Sequence, residues 1–172
     1  MNFLELVKAR SSVRKYLSKE VEQEKLDYIM ECARLAPSAA NFQPWYFYII
    51  KSPEAKQVLY ESYGGKWFSS YPAPVYIVAC GDKTQSWKRS FDKKDHVDID
   101  VAITFEHICL AAADRGLGTC WICAFDPVKL TGLLNLPEHH IPVAITPIGY
   151  PETTERDRPF VRKSVEEVSK II

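Results

Sequence analysis

Residues Ile99–Asp114, IDVAITFEHICLAAAD, carry apolar side chains on nearly every face when wound as a helix. Such a helix has to be buried on all sides. A chain of 172 residues has little else with which to cover it, so this one segment already points to a partner subunit. Arg115-Gly116-Leu117-Gly118 ends the helix, because glycine readily adopts the turn that closes a helical C-terminus.

The remaining segments mix helices and strands. Residues 2–9 and 21–36 have apolar residues at helical spacing, and Pro37 stops the second run. Trp45–Ile50 (WYFYII) is aromatic and β-branched and reads as a strand. Ser52 and Pro53 form an N-cap and first position for a helix that ends near Gly64–Gly65. Pro74–Cys80 (PVYIVAC) reads as a second, buried strand. Residues 82–97 are polar, loop-like and expected to be mobile. Thr119–Phe125 (TCWICAF) is expected as a third strand, followed by a short helix capped by Asp126 with Pro127 first. Val143–Ile148 (VAITPI) is expected as a fourth, and Pro147 hints that it lies at an edge. The tail from Glu152 is charged and extended, with a last short helix near Ser164–Val168. There is no regular βαβ rhythm. The expectation is a single α+β domain over 1–172, with a mixed or antiparallel central sheet flanked by helices.

Composition narrows the function. Hydrophobic residues are 47% and charged residues 26%, as in ordinary globular chains. Lys+Arg and Asp+Glu balance at 22 each, so no global field attracts nucleic acid or an anionic membrane. No signal-peptide-like apolar run opens the chain, and no run approaches the length of a membrane span. A cytoplasmic location is expected. Five cysteines, mostly in apolar segments, fit reduced buried thiols better than a disulfide framework.

Three segments could carry chemistry. Arg10-Ser11-Ser12-Val13-Arg14-Lys15 gathers three cations and two hydroxyls, donors suited to phosphate. On its own it reads more readily as a solvated basic turn after a helix. Pro37-Ser38-Ala39-Ala40-Asn41-Phe42-Gln43-Pro44-Trp45 offers amides that can pair with a heterocycle edge, and small residues that allow close approach. A plain helix-to-strand connection is the alternative. Gly116–Cys123 holds a C-x-x-C in Cys120 and Cys123, but within a strand these face opposite sides, against a redox or zinc pair. His139-His140 reads as a solvated loop, and no metal is expected. The usual dinucleotide, P-loop, hydrolase and zinc-protease motifs are missing, and no nucleophile–base set stands out, so no catalytic side chain is assigned. A cofactor that brings its own chemistry needs none.

Taken in order, the segments resemble the nitroreductase family of flavoenzymes. Arg10 to Tyr16 matches R-R/S-S-x-R-x-Y/F, Ala36 to Trp45 matches A-P-S-x-x-N-x-Q-P-W, and Leu110 to Cys123 matches L-A-A-x-x-x-G-L-G-T-C-W-I-G. Gly149-Tyr150-Pro151 and then Arg162-Lys163 ahead of Val165–Val168 look like the family's ending, R-K-P-x-E-E-x-V. The resemblance implies an intertwined homodimer, its tail (about 152–172) reaching across to the partner, with two FMN sites at the interface. It implies that Arg10, Ser11, Ser12 and Arg14 hold the phosphate and ribityl end, joined by Arg162 and Lys163 from the tail. Pro37, Ser38, Ala39, Asn41 and Gln43 of the other subunit would line the ring, with the Trp121, Ile122 and Cys123 backbone against it and Lys66 at the substrate mouth. The implied activity passes hydride from NADH or NADPH through flavin N5 to a nitroaromatic, a quinone or another small electron-poor acceptor, with ping-pong kinetics. Alternatives on the same fold are dehalogenation, enoyl reduction, flavin breakdown or flavin binding without catalysis. Two departures stand out: Cys123 replaces the family's usual glycine, and the polar 82–97 segment replaces a helical lid.

Overall fold

The computed structural model describes residues 1–64, 72–155 and 160–172. In chain order the elements are α1 (Phe3–Ala9), α2 (Gln23–Arg34), β1 (Trp45–Ile50), α3 (Pro53–Ser62), β2 (Val75–Asp82), α4 (Val97–Asp114), β3 (Gly118–Thr119), α5 (Pro127–Leu133), β4 (His140–Gly149) and α6 (Val165–Val168). The sheet is antiparallel throughout, in the order β1-β2-β4-β3. This is the expected α+β architecture. Among the described residues no helix is long and apolar enough to cross a membrane.

Strand β2 explains the layering. All of its residues are buried, and their period of two feeds two separate cores. Val75, Ile77 and Ala79 point to a cluster with α2 and α4, which contribute Leu26, Ile29, Val101, Phe105 and Ile108. Tyr76, Val78 and Cys80 point the other way, toward Leu59 of α3 and Leu130 of α5. A strand covered on both faces reads in sequence as the unbroken apolar run PVYIVAC.

Helix α4 buries Val97, Asp100, Val101, Thr104, Phe105, Ile108, Cys109, Ala111 and Ala112, a stripe at helical spacing. The complete burial expected from its sequence is not reached within one chain. Ile99 is 41% exposed, and Ala102, Ile103 and Leu110 are only partly covered. Helix α1 has no buried residue at all, and Phe3 and Leu4 stand largely in the open.

The caps follow the sequence closely. Ser52 accepts from the Ala55 N–H, Asp126 from Lys129, and Ser164 forms a capping box with Glu167. The polar 82–97 segment is a loop folded onto itself. Asp82 accepts bonds from Thr84 and Gln85, Arg89 pairs with Asp92, and Lys88 bridges Asp95.

Two strand expectations need correction, and one proline accounts for both. β4 is not an edge strand, because β2 and β3 flank it. The Thr119–Phe125 strand is not continuous either. It consists of the two residues of β3 and an isolated bridge at Ile122, which exchanges both backbone bonds with Ile145 (3.0 and 2.9 Å). In that register the next hydrogen-bonded pair would join Cys120 to Pro147, and proline has no N–H to give. The ladder breaks there, and the Cys120 N–H turns to Thr146 Oγ1 at 3.2 Å.

Gly118 is fixed by packing. A Cβ there would lie 2.6–2.9 Å from three side-chain atoms of Val13. Replacing Gly118 with alanine should cost about 1–3 kcal/mol of overpacking, read by urea unfolding. Adding Val13→Ala should recover part of that loss, and no recovery would show that the clash is relieved elsewhere.

Candidate functional site

The basic segment leaves α1 at Arg10, whose N–H still bonds Leu6 C=O at 2.9 Å. The chain then runs extended alongside β3. Ser12 forms a parallel bridge to Thr119, and the Val13 N–H donates to Thr119 C=O at 2.8 Å. This pairing turns Arg10 and Ser11 into one wall of a cavity of about 400 Å³. Gly116 to Thr119 form a second wall, and Pro151, Thr153 and Thr154 a third. Gly116 has φ 71°, which lets the chain turn sharply off α4 into that wall.

Among the described residues the lining has one cation, four hydroxyls and no carboxylate. That donor set suits a small anion with several oxygens. The Arg10 guanidinium also lies 3.7 Å from the Glu106 carboxylate of α4. Burial pushes the Glu106 carboxyl above its ordinary value, while Arg10 and His107 pull it down. A carboxylate outside the cavity lining thus lies within ion-pair range of Arg10. Ser12 supports the wall through its bridge to β3, and Arg14 donates to Ser12 C=O at 3.3 Å.

The 37–45 segment is a tight turn with unusual backbone. Ala40, Asn41 and Gln43 all have positive φ, at 51°, 56° and 52°. Asn tolerates that region, whereas a residue such as alanine is strained there by roughly 1–2 kcal/mol. Within the turn the Gln43 N–H donates to Ser38 Oγ (2.9 Å), the Asn41 N–H to Ser38 C=O (3.0 Å) and the Phe42 N–H to Ala39 C=O (3.1 Å), and two bonds tie it to the rest of the chain, Ala39 N–H to Asp100 Oδ1 (2.9 Å) and Asp82 N–H to Pro44 C=O (2.8 Å). The Gln43 amide folds back onto Asn41, and both side chains face solvent with Pro37.

The two segments do not meet within one chain. The turn is anchored at Asp100, near the start of α4, and the cavity opens beside Ala113, near its end. At 1.5 Å per residue these points lie about 20 Å apart along the helix. Beyond β3, Ile122 is buried, whereas Trp121 and Cys123 are exposed and linked by an indole N–H to thiol contact of 3.1 Å. Arg162 and Lys163 stand in the exposed tail. Arg162 donates to Val161 C=O and lies over the Phe160 ring, and neither residue lines the cavity. Lys66 falls outside the described residues.

Sequence reasoning missed several participants. Thr153 and Thr154 carried no signal, since hydroxyls are common in any tail. Glu106 and Asp100 did carry one, as acidic residues in an otherwise apolar helix. His139-His140 needs correction, because His140 opens β4 and is buried. Its Nδ1 is 2.6 Å from the Tyr48 hydroxyl and its ring stacks on Tyr46. Burial lowers the His140 pKa, and His139 adds to the shift. Ligand atoms of Asp82, His139 and His140 lie within 4.8 Å of one another. The Asp82 oxygens already accept from Thr84 and Gln85, and Tyr48 occupies His140 Nδ1, so this group is a hydrogen-bonded strand end.

The thiols differ sharply in environment. Burial pushes Cys80 and Cys109 up to about 12, whereas Cys123 is exposed. In the FMN-free protein a thiol reagent at neutral pH should label Cys123 quickly, half-buried Cys32 slowly, and Cys80 and Cys109 only after unfolding. Mass mapping of the labelled peptides checks this order.

Comparison with known proteins matches the arrangement. The family model described as the Nitroreductase family matches residues 7–72 and 61–150. The crystal structure of a nitroreductase family protein from Clostridium difficile 630 is 36% identical. It superposes with a TM-score of 0.88 over 99% of this chain and 98% of that one. An FMN-dependent nitroreductase from another strain of that species is 30% identical, with a TM-score of 0.79 over 92% of each chain. The FMN reductase (NAD(P)H) of Bacillus subtilis is 30% identical, covering 86% of this chain and 65% of its own length. With its ordered motifs, its antiparallel sheet and its basic cavity beside a long apolar helix, this chain belongs to the nitroreductase family.

Proposed function

We propose that this protein is an FMN-dependent oxidoreductase acting as a homodimer, which takes hydride from NADH or NADPH and passes it to a small electron-poor acceptor such as a nitroaromatic or a quinone. The observation that carries this reading is the separation of the two recognition segments along α4. Anion donors cluster at one end of the helix and the amide-bearing turn at the other, about 20 Å away. The two segments thus lie at opposite ends of α4 within one chain. A two-fold pairing that covers the open side of α4 would bring one copy's turn to the other copy's cavity. The exposed apolar residues Phe3, Leu4 and Ile99 give such a pairing something to bury.

The donor set fits FMN. Arg10, Ser11, Ser12 and Arg14 would hold the phosphate and ribityl end, with Arg162 and Lys163 joining from the partner-spanning tail. Pro37, Ser38, Ala39, Asn41 and Gln43 of the other copy would meet the ring edge, where amides supply both donors and acceptors. The backbone of Trp121 to Cys123 would lie against the ring. When bound, FMN supplies the site that accepts and returns hydride. The protein's share is to bind, to orient and to shield. The relatives named as an FMN-dependent nitroreductase and an FMN reductase support this assignment of cofactor and reaction class.

Two measurements test it. Arg10→Ala should weaken FMN binding roughly ten- to hundredfold, the loss of one charge-assisted bond. Riboflavin, which lacks the phosphate, should bind the variant and the native protein equally. Equal FMN affinity in both would remove Arg10 from the phosphate site. Separately, FMN-loaded protein under anaerobic conditions should lose its visible absorbance on addition of NADH or NADPH and regain it with a quinone. Absorbance unchanged by either donor would leave a flavin carrier in place of an enzyme.

A further inference from the structure

Asp100 is a carboxylate where the fold would ordinarily place a hydrophobe. It lies on the buried stripe of α4 between Val97, Val101 and Thr104, and it is 1% exposed. Burying a charged or polar group is costly unless its hydrogen bonds are made. Only one of its oxygens is matched. Oδ1 accepts from the Ala39 N–H at 2.9 Å, whereas Oδ2 has no hydrogen-bond partner among the described residues. A position near the start of a helix favours negative charge, but that alone would not aim the side chain at a turn 61 residues away in sequence.

What Asp100 reaches explains it. The Ala39 N–H begins the stretch in which Ala40, Asn41 and Gln43 all adopt positive φ. Such backbone persists only where its surroundings over-determine it. Ser38 Oγ ties the far end of the stretch through Gln43 N–H, and Asp100 ties the near end to α4, the longest helix among the described residues. Ala40, Asn41 and Gln43 are exposed and Phe42 is half exposed, so side-chain packing does little to hold the turn.

We infer that Asp100 is the positioning residue of the 37–45 turn, fixing from inside the core the strained backbone that presents Ala39, Asn41 and Gln43 to a ligand. That the ligand is the ring of FMN rests on the function proposed above. The role of Asp100 in shaping the turn does not. Asp100 is itself 1% exposed, so its action on a ligand runs through the turn. Only its acceptor oxygen is required, so an uncharged acceptor of the same shape serves equally well.

The test compares native protein with Asp100→Ala, Asp100→Asn and Thr104→Ala. The last removes a different buried bond of α4, from Thr104 to Ala33 C=O. Amide hydrogen exchange is followed at Ala39 and across 37–45, with and without FMN, together with FMN affinity and the visible circular dichroism of bound flavin. Asp100→Ala should speed exchange of the Ala39 amide, weaken FMN about tenfold and change the flavin dichroism. Asp100→Asn keeps the acceptor and should match native protein in all three. Thr104→Ala should lower stability yet leave turn exchange and dichroism unchanged. The inference is overturned if Asp100→Ala leaves the turn as protected as in native protein. It is equally overturned if Asp100→Asn behaves as Asp100→Ala, or if Thr104→Ala reproduces the effect. Should Asp100→Ala not fold, the Ala39 amide must exchange slowly in both native protein and Asp100→Asn, and fast exchange in either overturns it. If native protein binds no FMN, the flavin reading fails, while the exchange measurements still decide the role of Asp100.

Discussion

The fold depends on how α4 is covered. One side of this helix packs on α2 and on the sheet, where Val101, Phe105 and Ile108 meet Ile77 and Ala79. A side left partly open in the single chain carries Ile99, Ile103 and Leu110. Because the helix is long and its core contacts are rigid, anything tied to it is held at a defined place along one axis. The basic cavity is tied near its end and the strained turn near its start. The distance between the cavity and the strained turn is thus set by the length of a helix, and loops have little say in it.

The sheet contributes a second constraint. Its middle strands bury both faces, so they tolerate little change, whereas its β3 edge is deliberately incomplete. Pro147 withholds one N–H and thereby releases Cys120 from the ladder, before Ile122 rejoins Ile145. From Trp121 onward the side chains alternate, with Ile122 in the core and Trp121 and Cys123 exposed. An edge of that kind leaves backbone groups available to something other than a neighbouring strand.

Much of this was legible in the residues. WYFYII coincides with β1, and the caps at Ser52, Asp126 and Ser164 were readable because a cap is a local event between neighbours in sequence. The Thr119–Phe125 strand was overestimated because the residue that breaks it lies across the sheet, at Pro147. His139-His140 looked like a solvated loop because the Tyr46 and Tyr48 rings that enclose His140 belong to another strand. The site was legible as an ordered set of motifs, but not as a shape. Nothing in the letters says that Asp100 reaches Ala39, or that Glu106 lies beside Arg10.

The bridge between Ser12 and Thr119 also bears on the order of assembly. Its two residues are more than a hundred positions apart in the chain, and β1, β2 and the helices α2, α3 and α4 lie between them. Closing a loop of that size is entropically unfavourable until the intervening structure exists, and contacts of long sequence separation slow folding. The first dozen residues therefore wait for the sheet and α4 before they have anything to pair with. During synthesis this arm emerges before the sheet and α4 yet docks after them, so the cavity between Arg10 and Thr119 is not closed until residues through Thr154 have been made.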